Sequence, residues 1–207
     1  MNKITIPPAI IRIFFAVPSA PAVDIFINEF RFLQNVNYQD KSPFLSLPAG
    51  KYQIDIYPSG NHVSTILSKK IMVEQGKMYT LAACGTNEKM QLIPYDHSTS
   101  VPIGEAKIRI IHLAKSQQAI DLKATFGDVV FPNIMYKQAS NYLGITPMTV
   151  DLEIREAGTK NVLLPLPRLQ FKPNHIYSIV LLQSSQLEEP KLEAIVLKDY
   201  KVTFSRS

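Results

Sequence analysis

The sequence has little of what disulfide-bonded, zinc-binding and membrane-spanning proteins need. Its 207 residues include one cysteine and no tryptophan. Because Cys84 stands alone, an intrachain disulfide and any zinc site built from several cysteines are excluded. No uninterrupted apolar run approaches the roughly 20 residues that cross a bilayer as a helix. These absences favour a folded, soluble protein without a membrane span.

Charge is also scarce and is spread evenly. Charged residues make up 19% of the chain, and the net charge is +5. Residues 1–103 hold 9 basic and 7 acidic side chains, and residues 104–207 hold 13 and 10. Nucleic-acid-binding proteins usually cluster lysine and arginine on one face. Here the longest basic run is Lys69-Lys70, so we expect no nucleic-acid partner.

The chain repeats itself at about half its length. Ile11-Arg12-Ile13 recurs 97 residues later, and the same offset joins Asp24 to Asp121. After a one-residue insertion the offset is 98, which matches Asn35 with Asn133, Ser42 with Ser140, Gly60 with Gly158 and Tyr79 with Tyr177. A register kept over about 70 residues predicts a tandem duplication. We therefore predict an N-terminal arm at 1–8, a first module at 9–95, a linker at 96–105, a second module at 106–200 and a C-terminal tail at 201–207.

Each module has the pattern of an antiparallel β-sandwich. Fifteen scattered prolines disfavour long helices. Residues 51–57 and 149–155 alternate polar and apolar side chains, which predicts strands with one buried face. Turn residues such as Pro48-Ala49-Gly50 recur every 8–12 residues. We predict an all-β fold with about seven short strands in each module.

Two segments resemble a known bacterial family. Residues 16–26 read Ala-Val-Pro-Ser-Ala-Pro-Ala-Val-Asp-Ile-Phe, and residues 44–52 read Phe-Leu-Ser-Leu-Pro-Ala-Gly-Lys-Tyr. Both resemble signature segments of the bacterial domain of unknown function 4397. The second module is more divergent, with Thr146-Pro147-Met148 in place of Pro-Ala-Gly. The resemblance implies tandem immunoglobulin-like or transthyretin-like sandwiches on bacterial surfaces, and it implies no catalytic residues.

Members of that family commonly carry secretion signals. The start of this chain, Met-Asn-Lys-Ile-Thr-Ile-Pro-Pro, has no apolar segment ahead of a small-residue cleavage site, so we expect no signal peptide. Spore coat and exosporium are surface layers that are built from the mother-cell cytoplasm. We therefore expect a bacterial surface or spore-envelope location, with the cytoplasm as the alternative.

The histidines give weak signals for a site. His112 is a candidate ligand or base. We favour a buried histidine bonded to backbone, because Phe15 takes its place in the first module. His62, His97 and His175 fall in predicted turns or linkers, where an exposed histidine is ordinary. Since no two histidines have a metal-binding spacing, we predict no metal site and no cofactor.

Asp24, Asp121 and Cys84 have structural interpretations too. The two aspartates are candidate calcium or carbohydrate ligands, but one acid per module is too few for calcium. For both aspartates we favour a structural role, in which the carboxylate accepts backbone N–H groups of the preceding proline-rich bend. For Cys84 we favour a buried apolar role, with oxidative cross-linking between subunits as the alternative.

The two termini carry short alternating segments outside the repeat. Ile4, Ile6, Val202 and Phe204 are candidate assembly arms, which would add strands to the open sheet edge of a neighbouring subunit. Frayed tails or extra edge strands on the chain's own sheet are the alternatives.

We expect a non-enzymatic structural protein of a bacterial surface layer, such as spore coat or exosporium. It would associate through β-edges or terminal arms, as a homo-oligomer or with other envelope proteins. The alternative is an adhesion or binding module for glycan, peptide or another envelope protein. That alternative loses its support if Tyr38, Tyr57, Tyr95, Tyr136 and Tyr142 are all buried. An enzyme is the third hypothesis and requires a pocket that joins histidine, aspartate and cysteine.

Overall fold

The chain forms strands and no helix in the residues that the computed structural model describes, which are 7–98, 100–115, 118–184 and 191–199. The sixteen strands, in chain order, are β1 (Ala9–Ala16), β2 (Val23–Ile27), β3 (Phe30–Val36), β4 (Leu45–Leu47), β5 (Gly50–Pro58), β6 (Leu67–Val73), β7 (Met78–Cys84), β8 (Gln91–Asp96), β9 (Ala106–His112), β10 (Ile120–Ala124), β11 (Val129–Ile134), β12 (Leu143–Ile145), β13 (Met148–Glu156), β14 (Val162–Phe171), β15 (His175–Gln183) and β16 (Leu192–Lys198). The all-β prediction is confirmed. Within the described ranges no helix is long and apolar enough to span a membrane.

The strands divide between two compact units, Met1–His97 and Ser98–Ser207. Unit 1 contains the sheets β4-β1-β7-β8 and β3-β2-β5-β6. Unit 2 repeats the same orders as β12-β9-β15-β16 and β11-β10-β13-β14. The duplication is therefore visible in the sheet topology as well as in the sequence. The described residues form eight strands in each unit rather than about seven, because β4 and β12 are three residues long and too short to show an alternating pattern.

Each unit packs its two sheets around its own hydrophobic core. In β5 the alternation predicted from sequence turns Ile54 and Ile56 inward, and both are fully buried. In unit 2, Ile154 on β13 is buried in the same way. Side chains from both sheets of a unit meet in its core cluster, which is the arrangement of a β-sandwich.

One strand pair in each unit is parallel, whereas all the others are antiparallel. β1 runs parallel to β7, and β9 runs parallel to β15. The sequence hid this pairing because β1 and β7 are buried almost throughout and read as continuous apolar runs. The predicted antiparallel β-sandwich is confirmed, with these two parallel pairs as exceptions.

Candidate functional site

The residues that the two modules share in sequence meet at one place in each unit. Asp24 on β2 is buried, and its carboxylate accepts the backbone N–H of Asn35 at 2.9 Å. Asp121 on β10 accepts the N–H groups of Asn133 at 2.7 Å and Gly158 at 2.9 Å. The matched positions of the repeat therefore form a carboxylate clamp, by which we mean an aspartate that ties its own strand to two neighbouring segments of backbone.

Backbone conformation explains why asparagine occupies the clamp. Asn35 and Asn133 have φ angles of 54° and 52°, in the left-handed region that asparagine tolerates better than most residues. Both lie where the register shifts between the paired strands. The prediction that the aspartates accept backbone N–H groups is confirmed. Their donors, however, follow each aspartate in sequence rather than lying in the preceding proline-rich bend.

In unit 1 the clamp has side-chain partners as well. Asp24 accepts the Ser59 hydroxyl at 2.9 Å, and His62 Nε2 lies 2.9 Å from its second oxygen. Burial favours the neutral acid, but the hydrogen bonds from Asn35, His62, Ser59 and Gly60 outweigh it. Together they lower the pKa of Asp24 to about 2. The carboxylate therefore stays charged at any physiological pH.

Three rings cluster beside this carboxylate in unit 1. Phe26, Tyr57 and His62 contact one another edge to face, with ring centroids 5.0 to 5.5 Å apart. His62 is exposed, and the other two rings are partly buried. The corresponding positions of unit 2 are Lys123, Arg155 and Lys160. The two copies thus keep the same scaffold but present rings in unit 1 and cations in unit 2.

A second shared cluster surrounds a buried arginine. In unit 1 the Arg12 guanidinium donates to Thr80 Oγ1 from two nitrogens and lies 4.9 Å from the ring centroid of Phe44. His97 Nε2 lies 2.7 Å from the same hydroxyl oxygen. The expectation that His97 is exposed in a linker was wrong. The backbone N–H of His97 donates to the Met78 carbonyl, so the pairing of β8 with β7 extends to His97. The ring of His97 is buried.

Unit 2 builds the same cluster with different chemistry. Arg109 donates to Ser178 Oγ at 2.7 Å and lies 4.5 Å from the ring centroid of Tyr142. Ser178 and Tyr142 both donate to one oxygen of Asp199, at 2.6 and 2.7 Å. Burial raises the pKa of Tyr142, although the positive charge of Arg109 opposes the shift. A hydroxyl, an aromatic ring and a buried guanidinium recur in both units, so the cluster is part of the scaffold.

His112 and Cys84 have the roles that we favoured from the sequence. His112 is fully buried, with Nε2 2.9 Å from the Gln118 carbonyl and Nδ1 accepting the N–H of Ala114 at 3.3 Å. These partners require a proton on Nε2 alone, and burial lowers the pKa of the ring, so His112 is neutral. Cys84 is fully buried at the end of β7.

The tyrosines divide between scaffold and surface. The hydroxyls of Tyr79 and Tyr177 accept backbone N–H groups five residues upstream, at 3.3 and 3.1 Å. Of the five tyrosines proposed as a binding surface, Tyr95 is buried, whereas Tyr38, Tyr57, Tyr136 and Tyr142 are partly exposed. The five tyrosines are therefore not all buried, so the binding-module alternative keeps its support.

The sheet edges are protected unevenly. An unpaired edge strand exposes N–H and C=O groups that can pair with another chain, and proteins protect such edges with proline, charged side chains (lysine above all), β-bulges or very short strands. Among the described strands, six of the eight edges contain proline or paired lysines or are very short: β4 and β12 are three residues long, β6 contains Lys69 and Lys70, β8 contains Pro94, β11 contains Pro132, and β14 contains Pro165 and Pro167. The remaining edges are β3 and β16, which we call the open edges. β3 has no proline or lysine, although it contains Arg31 and two register shifts, and β16 has no proline and carries Glu193 and, at its last position, Lys198.

An apolar groove runs along the open edge of unit 1. Its volume is about 310 Å³, and Ile27, Phe32, Leu45, Leu47 and Tyr52 contribute to its lining. Phe30 at the start of β3 also lines the groove and is 80% exposed. A contiguous apolar groove beside an edge strand is a candidate contact surface.

The terminal arms and the metal site are the remaining expectations from the sequence. The proposed assembly arms, Ile4, Ile6, Val202 and Phe204, fall outside the described residues. Within the described ranges no three histidine, cysteine, aspartate or glutamate side chains are grouped to hold a metal ion.

Two β-sandwich units with the same sheet orders and the same polar clusters define a tandem β-sandwich protein. The chain belongs to the family called domain of unknown function DUF4397, whose model matches residues 9–123, more than half of the chain. The family membership suggested by residues 16–26 and 44–52 is confirmed.

The chain also has similarity to solved structures. It is 19% identical to the C-terminal domain of AlgF from P. aeruginosa, covering 46% of this chain and 99% of that one at a TM-score of 0.36. It is 11% identical to the Bacillus anthracis TIE protein, covering 85% and 34% at a TM-score of 0.27. It is 9% identical to a Bacteroides fragilis protein proposed to act in cell adhesion, covering 95% and 99% at a TM-score of 0.22. No curated protein sequence matches the chain.

Proposed function

We propose that this protein is a non-enzymatic structural protein of a bacterial surface layer, such as spore coat or exosporium. It assembles with copies of itself or with other envelope proteins through the open edges of its sheets. The observation that supports this function is one edge in each unit, β3 and β16, that lacks proline and has no strand on its outer side among the described residues, where the other six described edges contain proline or lysine or are very short. The exposed Phe30 and its apolar groove add a hydrophobic contact beside β3.

The polar clusters support a non-enzymatic function. Asp24 and Asp121 hold backbone N–H groups. Both ring nitrogens of His112 are engaged with backbone atoms, and Cys84 is fully buried. A general base or nucleophile needs access to a substrate, and these groups are committed to the scaffold.

Sedimentation velocity tests the assembly function. Wild-type protein should sediment faster as its concentration rises, starting from the 23.3 kDa monomer. The double variant Gln34→Pro/Val196→Pro removes one N–H from each open edge and should remain monomeric. The matched control Gln34→Ala/Val196→Ala changes the same side chains but keeps both N–H groups, so it should associate like the wild type. A wild-type protein that stays monomeric at every attainable concentration would contradict the proposal.

The ring cluster of unit 1 favours a second function, the binding of a glycan, a peptide or another envelope protein. Partly exposed aromatic rings beside a charged carboxylate suit the apolar face and hydroxyl groups of a sugar. Calorimetric titration with chitohexaose tests this function. Binding that is lost in Tyr57→Ala but kept in Tyr38→Ala supports it, and the absence of heat with wild-type protein contradicts glycan binding for this probe.

A further inference from the structure

The two open edges belong to different positions of the duplicated fold. β3 corresponds to β11, and residue 34 corresponds to residue 132 by the 98-residue offset, so the counterpart of Gln34 is Pro132. β16 corresponds to β8. Val196 pairs with Ile179 on β15, and Pro94 pairs with Leu81 on β7, which is 98 residues earlier. Val196 is therefore the counterpart of Pro94.

Each unit is thus open at the edge where the other unit is blocked by proline. Unit 1 is closed at β8 and open at β3, whereas unit 2 is closed at β11 and open at β16. Proline has no N–H to donate, so within a sheet it occurs at edge positions or bulges where the sheet does not use one. By correspondence with Pro132 and Pro94, the ladders within each unit do not need the N–H groups of Gln34 and Val196, which leaves these groups for a further strand.

We propose that β3 of unit 1 pairs with β16 of unit 2 in a second copy of this chain, so that copies join head to tail. This inference rests on the proposed assembly function and names the partner of each open edge. Both strands are seven residues long, and a ladder between them has to accommodate the register shifts of β3. In the described part of the chain, no strand pairs with the outer side of either one.

Charge and apolar surface favour this unlike pairing. Arg31 is the one charged residue of β3, and β16 contains the acidic Glu193. Arg31 and Glu193 are each the second residue of their strand, so a parallel pairing of β3 with β16 sets opposite charges side by side and leaves Lys198 at the far end. The exposed apolar residues Phe30 on β3 and Val196 on β16 would also be covered.

Symmetry provides a third argument. A two-fold dimer formed by two copies of β3 would leave both copies of β16 exposed. Contacts between β3 and β16 use both open edges and repeat from copy to copy. Such heterologous contacts close into rings or continue as filaments, and either product suits a surface layer.

The test mixes two variants that each have one edge blocked. Gln34→Pro closes β3 and leaves β16 open, whereas Val196→Pro closes β16 and leaves β3 open. Both substitutions place proline where the other unit already has it, so both variants should fold, which circular dichroism and a thermal melt would check. Each variant alone should be monomeric by sedimentation velocity, and an equimolar mixture should form a 1:1 dimer that grows no further.

Three outcomes would overturn the pairing. If Val196→Pro alone forms a dimer, β3 of one copy pairs with β3 of another. The proposed assembly function would then be supported, but the head-to-tail arrangement would be wrong. If the mixture stays monomeric while the wild type associates, the two strands are not partners. If the wild type never associates, the proposed assembly function itself fails.

Charge reversal supplies a second measurement that does not disturb the backbone. Arg31→Glu and Glu193→Arg should each weaken wild-type association about fivefold, as expected for one cross-strand charge pair. The double variant should restore it. A double variant that associates no better than either single variant would overturn the pairing of these two strands.

Discussion

Asp24 and His62 are joined by a contact of 2.9 Å between Oδ2 and Nε2, with the carboxylate fully buried and the imidazole partly exposed. This contact ties the connection between β5 and β6 to the middle of the sheet. Unit 2 has no histidine at the matching position, because Lys160 stands there. The first two predictions follow from this difference between the copies.

Acid should destabilise unit 1 through Asp24. Its pKa is about 2 in the folded protein and 3.8 when unperturbed. The stabilisation of about 2 kcal/mol is therefore complete above pH 3.8 and is lost as the pH falls through 2. Urea denaturation between pH 5 and pH 2 measures this, with Asp24→Asn as the comparison. A difference in unfolding free energy between the two proteins that does not shrink toward pH 2 would contradict the assignment.

Loss of the His62 ring should loosen one connection without unfolding the unit. His62→Ala removes a hydrogen bond to a charged group, so we expect a loss of about 1 kcal/mol. Amide hydrogen exchange should become faster between β5 and β6 and remain unchanged in the core strands. Lys160→Ala at the matching exposed position of unit 2 is the control and should change stability by less than about 0.5 kcal/mol.

The buried arginine clusters should depend on their hydroxyl partners. Thr80→Val keeps the shape of the side chain but removes the oxygen that contacts Arg12 and His97. Leaving the buried Arg12 guanidinium without this acceptor should lower the free energy of unfolding by about 2 to 3 kcal/mol. Chemical denaturation would measure the loss, and the matched change Ser178→Ala should be similarly costly in unit 2. A neutral effect of Thr80→Val would show that the hydroxyl is dispensable.

Phe30 should affect association rather than stability. Because its side chain is 80% exposed, Phe30→Ser should leave the free energy of unfolding within about 0.5 kcal/mol of the wild type. It should nevertheless weaken concentration-dependent association in sedimentation velocity. Phe15 is fully buried, and Phe15→Ser should unfold unit 1, which separates a core residue from a surface residue of the same type.

Cys84 should be unreactive while unit 1 is folded. Its side chain is fully buried at the end of β7, so a thiol reagent should label it only after unfolding. The labelling rate should rise with urea in step with the loss of circular dichroism. Rapid labelling of native protein, or disulfide-linked dimers formed by native protein in air, would support the alternative role in cross-linking.

The repeat predicted more of the scaffold than of the surface. Asp24, Asn35 and Gly60 were found by their spacing, and the structure brings all three together because the clamp needs a carboxylate, a left-handed asparagine and a backbone N–H. The role of His62 in the clamp was missed, since unit 2 has no equivalent residue. Comparison of the two copies identifies residues that both copies contain, and it misses a residue such as His62 that only one copy contains.

Other features depend on strand order, which composition and periodicity do not reveal. Pro94 and Pro132 were visible in the sequence, but their meaning as edge blocks requires knowing that β8 and β11 are outermost. His97 was assigned to a linker because polar residues surround it, whereas its backbone bond to Met78 carries it into the sheet.

The parallel pair in each unit has a consequence for synthesis. Ile11 on β1 pairs with Tyr79 on β7. The backbone groups of β1 that face β7 therefore have no partner until nearly 70 further residues have been translated. Until then β1 is an aggregation hazard that needs shielding on the ribosome. Because unit 2 has its own core and its own late partner for β9, each unit can finish folding as its last strands emerge. A nascent chain that pauses between the units would therefore carry one completed sandwich.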